Sequence, residues 1–146
     1  MGDSRRFDVT AAFIAKNFRP CRVADVAGGK GEMSTALRKY GFDCTVIDTR
    51  KGAGRCAKFT LAMVTDYDLL VGLHPDGATE TLAQAALSGK PVVIVPCCQF
   101  WQGIDSHGAT GMVDTIRRYW RKHKIDFWET QLKMNGKNVV LVANGY

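Results

Sequence analysis

The sequence has 146 residues, of which 46% are hydrophobic and 23% are charged, close to the average for globular domains. This length and composition predict one domain over residues 1–146 and exclude collagen-like, coiled-coil and disordered chains. Twenty Lys and Arg against fourteen Asp and Glu give a formal net charge of +6, which favours a polyanionic partner if the charge lies on one face.

Strands and helices are predicted to alternate along the chain and to end in a hairpin. Apolar residues at helical spacing predict helices, and short apolar or β-branched runs predict strands. In chain order the predicted elements are a helix at 5–18, a strand at 22–26, a helix at 33–40, a strand at 44–47, a weaker strand at 58–64, a strand at 69–73, a helix at 78–87, a strand at 91–95, a basic helix at 111–124, and strands at 127–132 and 139–143. The Asn135-Gly136 dipeptide between the last two strands is typical of a tight hairpin turn.

This pattern predicts an α/β fold. Alternating elements with continuously apolar strands indicate a Rossmann-like, mainly parallel sheet with helices on both faces. The C-terminal antiparallel hairpin narrows the fold to variants in which the last strand inserts against its neighbours.

Other sequence features bear on location and covalent structure. The longest apolar stretches, such as residues 91–98, are much shorter than the roughly 20 residues that cross a bilayer. Residues 1–6 are polar, so we expect no secretory signal, no membrane span and a cytoplasmic location. The five cysteines form no CxxC pair, and neither a disulfide scaffold nor a zinc ribbon is expected.

A glycine-rich segment, Asp25 to Glu32, joins the first predicted strand to the next helix, where open α/β sheets bind ligands. Asp48 closes the second strand, where a carboxylate can accept hydrogen bonds from both hydroxyls of a ribose. The two features together predict a cofactor that contains a nucleoside.

The glycine spacing and the charge of the loop distinguish two cofactors. Gly29 and Gly31 supply the first two glycines of the dinucleotide motif G-x-G-x-x-G, but Ser34 stands at the third position. An acid at position 25 suits the amino group of a methionine moiety and would repel a pyrophosphate. S-adenosylmethionine is therefore favoured, and an NAD-linked oxidoreductase is a disfavoured alternative.

The segment from Asp25 to Glu32 resembles motif I of class I S-adenosylmethionine-dependent methyltransferases, D/E-x-G-x-G-x-G, with Ala27 in place of the first glycine. Asp48 matches the acid of their motif II, and residues 68–74 match the strand that closes their pocket. The resemblance implies a methyltransferase fold and an S-adenosylmethionine cofactor. The candidate cofactor-binding residues are Asp25, Ala27, Gly28, Gly29, Gly31, Asp48 and Leu73.

A more local similarity concerns residues 72–80 and the Pro96-Cys97-Cys98 segment. They are similar to segments of acceptor-stem tRNA ribose methyltransferases and their relatives, although Asp76 stands where that pattern has a cysteine. This similarity favours RNA as the methyl acceptor.

The strands that end at His74 and at Cys97 are expected to be neighbours, so their ends meet at the rim of the pocket. Methyl transfer needs orientation of the acceptor, and a base if the acceptor is a hydroxyl. His74 or Asp76 is the candidate catalytic base. The alternatives are a His74 that caps the strand end and cysteines that are small buried apolar residues. No metal site is expected, because the spacing of His74, Cys97, Cys98 and His107 is unlike zinc patterns.

The predicted helix at 111–124 is strongly basic. Arg117, Arg121 and Lys124 are candidate substrate-binding residues that could hold RNA phosphates. The alternative is that Ile116, Tyr119 and Trp120 form a core stripe and the cations form its solvated face.

The predicted function is S-adenosylmethionine-dependent methylation of RNA. The alternative is a non-catalytic nucleoside- or RNA-binding module on a degenerate methyltransferase fold. A homodimer could complete the substrate site of so small a domain.

Overall fold

A computed structural model describes residues 4–50, 54–97, 108–136 and 138–145 of the chain. The helices are α1 (Arg6–Asn17), α2 (Glu32–Arg38), α3 (Thr79–Ala85) and α4 (Gly108–Lys122), and the strands are β1 (Arg22–Val26), β2 (Asp43–Asp48), β3 (Arg55–Cys56), β4 (Leu69–Leu73), β5 (Val92–Val95), β6 (Phe127–Gln131) and β7 (Val139–Ala143). Short 3-10 helices cover Leu61–Asp66, Asp76–Ala78 and Ala86–Ser88. No helix in the described part of the chain is long and apolar enough to cross a bilayer.

All of these strands belong to one sheet with the order β3-β2-β1-β4-β5-β7-β6. The strands from β1 to β5 pair in parallel, whereas β7 runs antiparallel between β5 and β6. The predicted fold class is therefore confirmed, including the insertion of the last strand. Since β1, β2 and β4 are parallel, their carboxyl ends meet at one edge of the sheet.

The two faces of the sheet carry separate apolar clusters. On the first face, α1 and α2 pack their buried residues, among them Ile14 and Leu37, against the sheet. On the second face, α3 and α4 contribute Leu82 and Trp120 to a larger cluster. Side chains alternate between faces along a strand. Buried apolar residues therefore follow one another without interruption in the central strands.

Most of the predicted elements are observed within a few residues of their predicted bounds, but the strand at 58–64 was wrong. The structure has a two-residue strand, β3, before that segment, and a 3-10 helix over Leu61–Asp66. Phe59 and Val64 are buried, while Lys58, Thr60, Leu61 and Ala62 are exposed. This burial does not alternate, so the segment lacks the half-buried pattern that stabilises a strand.

The loop between β6 and β7 is longer than the tight turn predicted from Asn135-Gly136. The last paired residues are Gln131 and Val139, and the Leu132 N–H donates to the Asn138 carbonyl at 2.8 Å. Gly136 has φ of +81°, a conformation that glycine adopts without steric cost. The dipeptide therefore predicts where the chain reverses direction, but it does not predict the length of the loop.

Candidate functional site

A cavity of about 410 Å³ opens at the carboxyl ends of β1, β2 and β4. Small-molecule sites typically have volumes of about 300 to 1,000 Å³. Its apolar lining includes Val26, Ile47, Phe59, Pro75 and Ala78, and its charged lining residues are Asp48, Arg50 and Lys58. The cavity therefore combines apolar surface with a few charged groups, as expected for a site that orients a small polar ligand.

The glycine loop between β1 and α2 forms one side of this edge. Ala27, Gly29 and Gly31 all have positive φ, and Gly31 precedes the first residue of α2. The Ala27 N–H donates to the Ile47 carbonyl at 2.7 Å, which ties the loop to β2. A Cβ atom at Gly28 would lie 2.5 Å from Asp25 Cγ. Position 28 therefore needs glycine for the close approach of the loop to the carboxyl group.

Asp25 lies beneath this loop and is only 1% exposed. Its Oδ2 accepts hydrogen bonds from the Ser34 N–H at 3.1 Å and the Ser34 hydroxyl at 2.7 Å. Burial raises the pKa of Asp25 to about 6, although both bonds from Ser34 favour the ionised form. Asp25 does not line the cavity. Its contact with a methionine amino group stays a prediction, and what the structure shows is a carboxyl group that joins the glycine loop to α2.

The buried Asp25 carboxyl should make stability depend on pH. Its folded pKa, raised to about 6, exceeds the unfolded value of about 3.9. Its contribution is therefore fully present below about pH 4 and is lost as the pH rises through about 6. We expect the free energy of unfolding of the wild type, relative to Asp25→Asn, to fall by about 2 to 3 kcal/mol between pH 4 and pH 7.5. Urea unfolding of both proteins at several pH values measures this difference, and a pH-independent difference would contradict the assignment.

Asp48 lies at the floor of the cavity and is 6% exposed. Its Oδ2 accepts the Gly29 N–H at 2.8 Å, so the acid closing β2 and the glycine loop are in direct contact. Arg50 donates its backbone N–H at 2.9 Å and its Nε at 3.0 Å to Oδ1, and its Nη2 at 2.8 Å to Oδ2. The hydrogen bonds from the Arg50 side chain are the largest cause that holds the pKa of Asp48 far below its usual range.

Arg50 is a site residue that the sequence analysis did not identify. Its only sequence signal is a basic residue two positions after the acid that ends β2. Because residues that follow a strand can turn in many directions, this spacing does not by itself predict a contact with the acid. The three-dimensional path of the chain after β2 decides it.

The residues after β4 lie at the same edge of the sheet. The His74 N–H donates to the Val95 carbonyl at 2.8 Å, which confirms that the ends of β4 and β5 are neighbours. His74 is half-buried with φ of +51° and directly precedes the cavity residue Pro75. The Leu73 side chain packs against the cluster on the first face and does not line the cavity. The side chain of Asp76 lies outside what the structure describes.

Cys97 is buried after the end of β5, as the interpretation of the cysteines as small buried apolar residues expects. Cys98 and His107 lie outside the described residues. Among the residues that are described, no group of three or more His, Cys, Asp and Glu side chains has a metal-binding arrangement.

The basic helix α4 packs Ile116 and Trp120 into the core of the second face, where both are fully buried. The guanidinium of Arg117 donates from Nε and Nη2 to Glu129 of β6. The Arg121 guanidinium lies 5.7 Å from the centroid of the Phe127 ring. Lys124 is exposed beyond the end of the helix. A core stripe with cations around it is therefore observed.

The topology places the C-terminal end of α4 far from the cavity edge. This end leads into Phe127, the first residue of β6, and β6 runs parallel to β1 because both it and β5 are antiparallel to β7. Arg121 and Lys124 thus lie toward the edge of the sheet opposite the carboxyl ends. The structure does not bring these two predicted substrate-binding residues together with the glycine loop and Asp48.

No protein-family model and no curated protein matches the chain, but many solved structures share its fold. TehB from Haemophilus influenzae aligns over 92% of this chain and 60% of its own, with a TM-score of 0.57 and 15% identity. Precorrin-6y C5,15-methyltransferase from Geobacter metallireducens aligns over 93% of this chain and 85% of its own, with a TM-score of 0.60 and 7% identity. A SAM-dependent O-methyltransferase from Thermotoga maritima aligns over 92% of this chain and 63% of its own, with a TM-score of 0.55 and 14% identity.

These similarities show the fold. The chain has the Rossmann-like fold of class I methyltransferases, as the resemblance of its glycine loop and Asp48 to motifs I and II implied. It spans about three fifths of the length of TehB and of the Thermotoga enzyme.

Proposed function

We propose that this chain is an S-adenosylmethionine-dependent methyltransferase. The observation that carries the proposal is the direct contact between the glycine loop and Asp48 at the floor of the cavity, 2.8 Å from the Gly29 N–H to Oδ2. The fold shared with solved methyltransferases supports it. A non-catalytic module on the same fold is the alternative, and methyl turnover separates the two.

The cavity suits the adenosine part of such a cofactor. Asp48 can accept hydrogen bonds from the ribose hydroxyls, and the apolar surfaces of Ile47, Phe59 and Ala78 can pack against the adenine. The glycine loop would hold the methionine part, since its residue Ala27 lines the cavity beside Asp48. When bound, the cofactor supplies a methyl carbon activated by its sulfonium. The protein must then orient the acceptor and remove a proton if the acceptor is a hydroxyl.

His74 is the proposed general base for a hydroxyl acceptor. It follows β4 at the edge where the cavity opens and adjoins the cavity residue Pro75. Asp76, two positions further on, is the second candidate. A neutral imidazole nitrogen can accept the proton of a hydroxyl.

RNA is the proposed acceptor, supported by the net charge of +6 and by the exposed cations Arg118, Lys122 and Lys124 on and after α4. An acceptor that contacts both these cations and the cavity must reach both edges of the domain, which a folded RNA can do and a small molecule cannot. A homodimer that places α4 of one protomer beside the cavity of its partner would also bring these cations close to a cavity. We also propose that the protein is located in the cytoplasm.

The test begins with calorimetric titration of S-adenosylmethionine, S-adenosylhomocysteine and NAD into the purified protein. We expect dissociation constants for the two adenosyl ligands in the range of about 1 μM to 1 mM and no binding of NAD. Binding of NAD alone would contradict the proposal.

Incubation with methyl-labelled S-adenosylmethionine and either total RNA or an RNA-free extract then identifies the acceptor. Label in the RNA supports the proposed acceptor, and label only in the RNA-free extract contradicts it.

A further inference from the structure

The Asp48 carboxylate has its hydrogen-bonding capacity filled by its own chain. A carboxylate offers about four lone-pair positions on its two oxygens. Two are used by backbone donors, the N–H groups of Gly29 and Arg50. The other two are used by the Arg50 guanidinium, with Nε on Oδ1 and Nη2 on Oδ2.

The guanidinium therefore occupies one acceptor position on each carboxylate oxygen. A ribose presents two adjacent hydroxyls, and a carboxylate that binds both needs one open position on each oxygen. The two backbone donors leave that pair of positions, and the side chain of Arg50 fills it. A ligand ribose and the Arg50 guanidinium cannot both hold these positions.

The exposed fractions of the Asp48 and Arg50 side chains indicate which of the two moves when a ligand binds. Asp48 is 6% exposed and Arg50 is 68% exposed. Asp48 is held in place by the Gly29 N–H, whereas most of the Arg50 side chain is exposed, so Arg50 is the partner that can move. Because Arg50 is exposed, water can solvate its guanidinium when it leaves, and the ribose hydroxyls then replace the two bonds that it makes to the carboxylate.

We propose that Arg50 determines the affinity of the site by competing with the ligand's ribose for Asp48. This inference rests on the proposed function, because it assumes a ligand that contains adenosine. Arg50 is a specificity-determining residue in this sense, since a ligand with two adjacent hydroxyls replaces both guanidinium bonds and a ligand with one hydroxyl does not.

The experiment compares S-adenosylhomocysteine binding by calorimetry in the wild type, Arg50→Ala and Arg50→Lys. At low salt we expect Arg50→Ala to bind about 3- to 10-fold more tightly than the wild type, because the competitor is absent. Arg50→Lys should fall between them, since an ammonium group cannot hold both oxygens as a fork. Raising the NaCl concentration should narrow the difference between the wild type and Arg50→Ala only partly, because Arg50 is exposed but Asp48 is buried.

Lys58→Ala is the matched control, because Lys58 lines the same cavity and this substitution removes the same charge. It should not reproduce the gain in affinity if the fork on Asp48 is the cause. Thermal melts followed by circular dichroism establish that each variant is folded.

Two outcomes would overturn the inference for different reasons. Equal or weaker binding by Arg50→Ala, or an equal gain in Lys58→Ala, would show that Arg50 does not compete for Asp48, while the proposed function would stand. Failure of every folded variant to bind S-adenosylhomocysteine would overturn the proposed function and this inference together.

Discussion

Asp48→Ala is expected to weaken the binding of S-adenosylhomocysteine about 10- to 100-fold. The substitution removes the acceptor of the ribose hydroxyls, and hydrogen bonds to a charged group contribute about 1.5 to 3 kcal/mol, which corresponds to this range of affinity. It also removes the acceptor of the Gly29 N–H, so the glycine loop loses one of its contacts with β2. Calorimetric titration of the variant against the wild type measures the loss.

The control for Asp48→Ala is Asp43→Ala, which makes the same change at the exposed first residue of the same strand. Because Asp43 lies at the opposite end of β2 from the cavity, its removal should leave the affinity unchanged. The double variant Asp48→Ala with Arg50→Ala should bind like Asp48→Ala alone, since Arg50 has no competitor role without the carboxylate. An Asp48→Ala protein that is folded and binds as tightly as the wild type would remove Asp48 from the site.

Trp120→Ala is expected to lower the free energy of unfolding by about 3 to 5 kcal/mol. Trp120 is fully buried in the cluster on the second face, and its Nε1 donates to the Ala83 carbonyl at 2.9 Å, which joins α4 to α3. The substitution leaves a large cavity and removes this hydrogen bond. Because a domain typically has about 5 to 15 kcal/mol of stability, the loss should be plain in urea unfolding followed by circular dichroism.

Trp120→Phe separates packing from hydrogen bonding, since it keeps an aromatic ring and removes the indole N–H. We expect it to cost less than the alanine variant. Trp128→Ala is the matched control, because Trp128 is only half-buried and should cost less as well. A loss at Trp120 no larger than at Trp128 would contradict the role of α4 as a buried core helix.

Much of the fold could be predicted because burial leaves a periodic pattern in the sequence. The continuous apolar runs of β4 and β5 and the helical spacing in α1 and α4 each indicate an element without reference to the rest of the chain. The weaker strand predicted at 58–64 failed where that pattern is poor. Its buried residues, Phe59 and Val64, do not alternate regularly with exposed ones, and the short strand β3 pairs only at the edge of the sheet.

The candidate site was predictable in its residue types but not in its contacts. The glycine loop and Asp48 are recognisable because strand ends in parallel sheets meet at one edge. The pairing of Arg50 with Asp48 depends on how the chain turns after β2, and the burial of Asp25 depends on α2, which places Ser34 over its carboxyl group. Neither arrangement follows from spacing along the chain.

By itself, the sequence determined the alternation of strands and helices, the parallel sheet with its terminal hairpin, and the acid and glycines at the strand ends. These are local properties, since hydrophobic periodicity and backbone preference act within a few residues. The tertiary structure alone decided that the cations at the end of α4 lie at the edge opposite the cavity, and that Asp48 is held by Arg50. The position of α4 arises from packing between elements far apart in the chain, and the contact of Arg50 with Asp48 arises from the turn that the chain makes after β2.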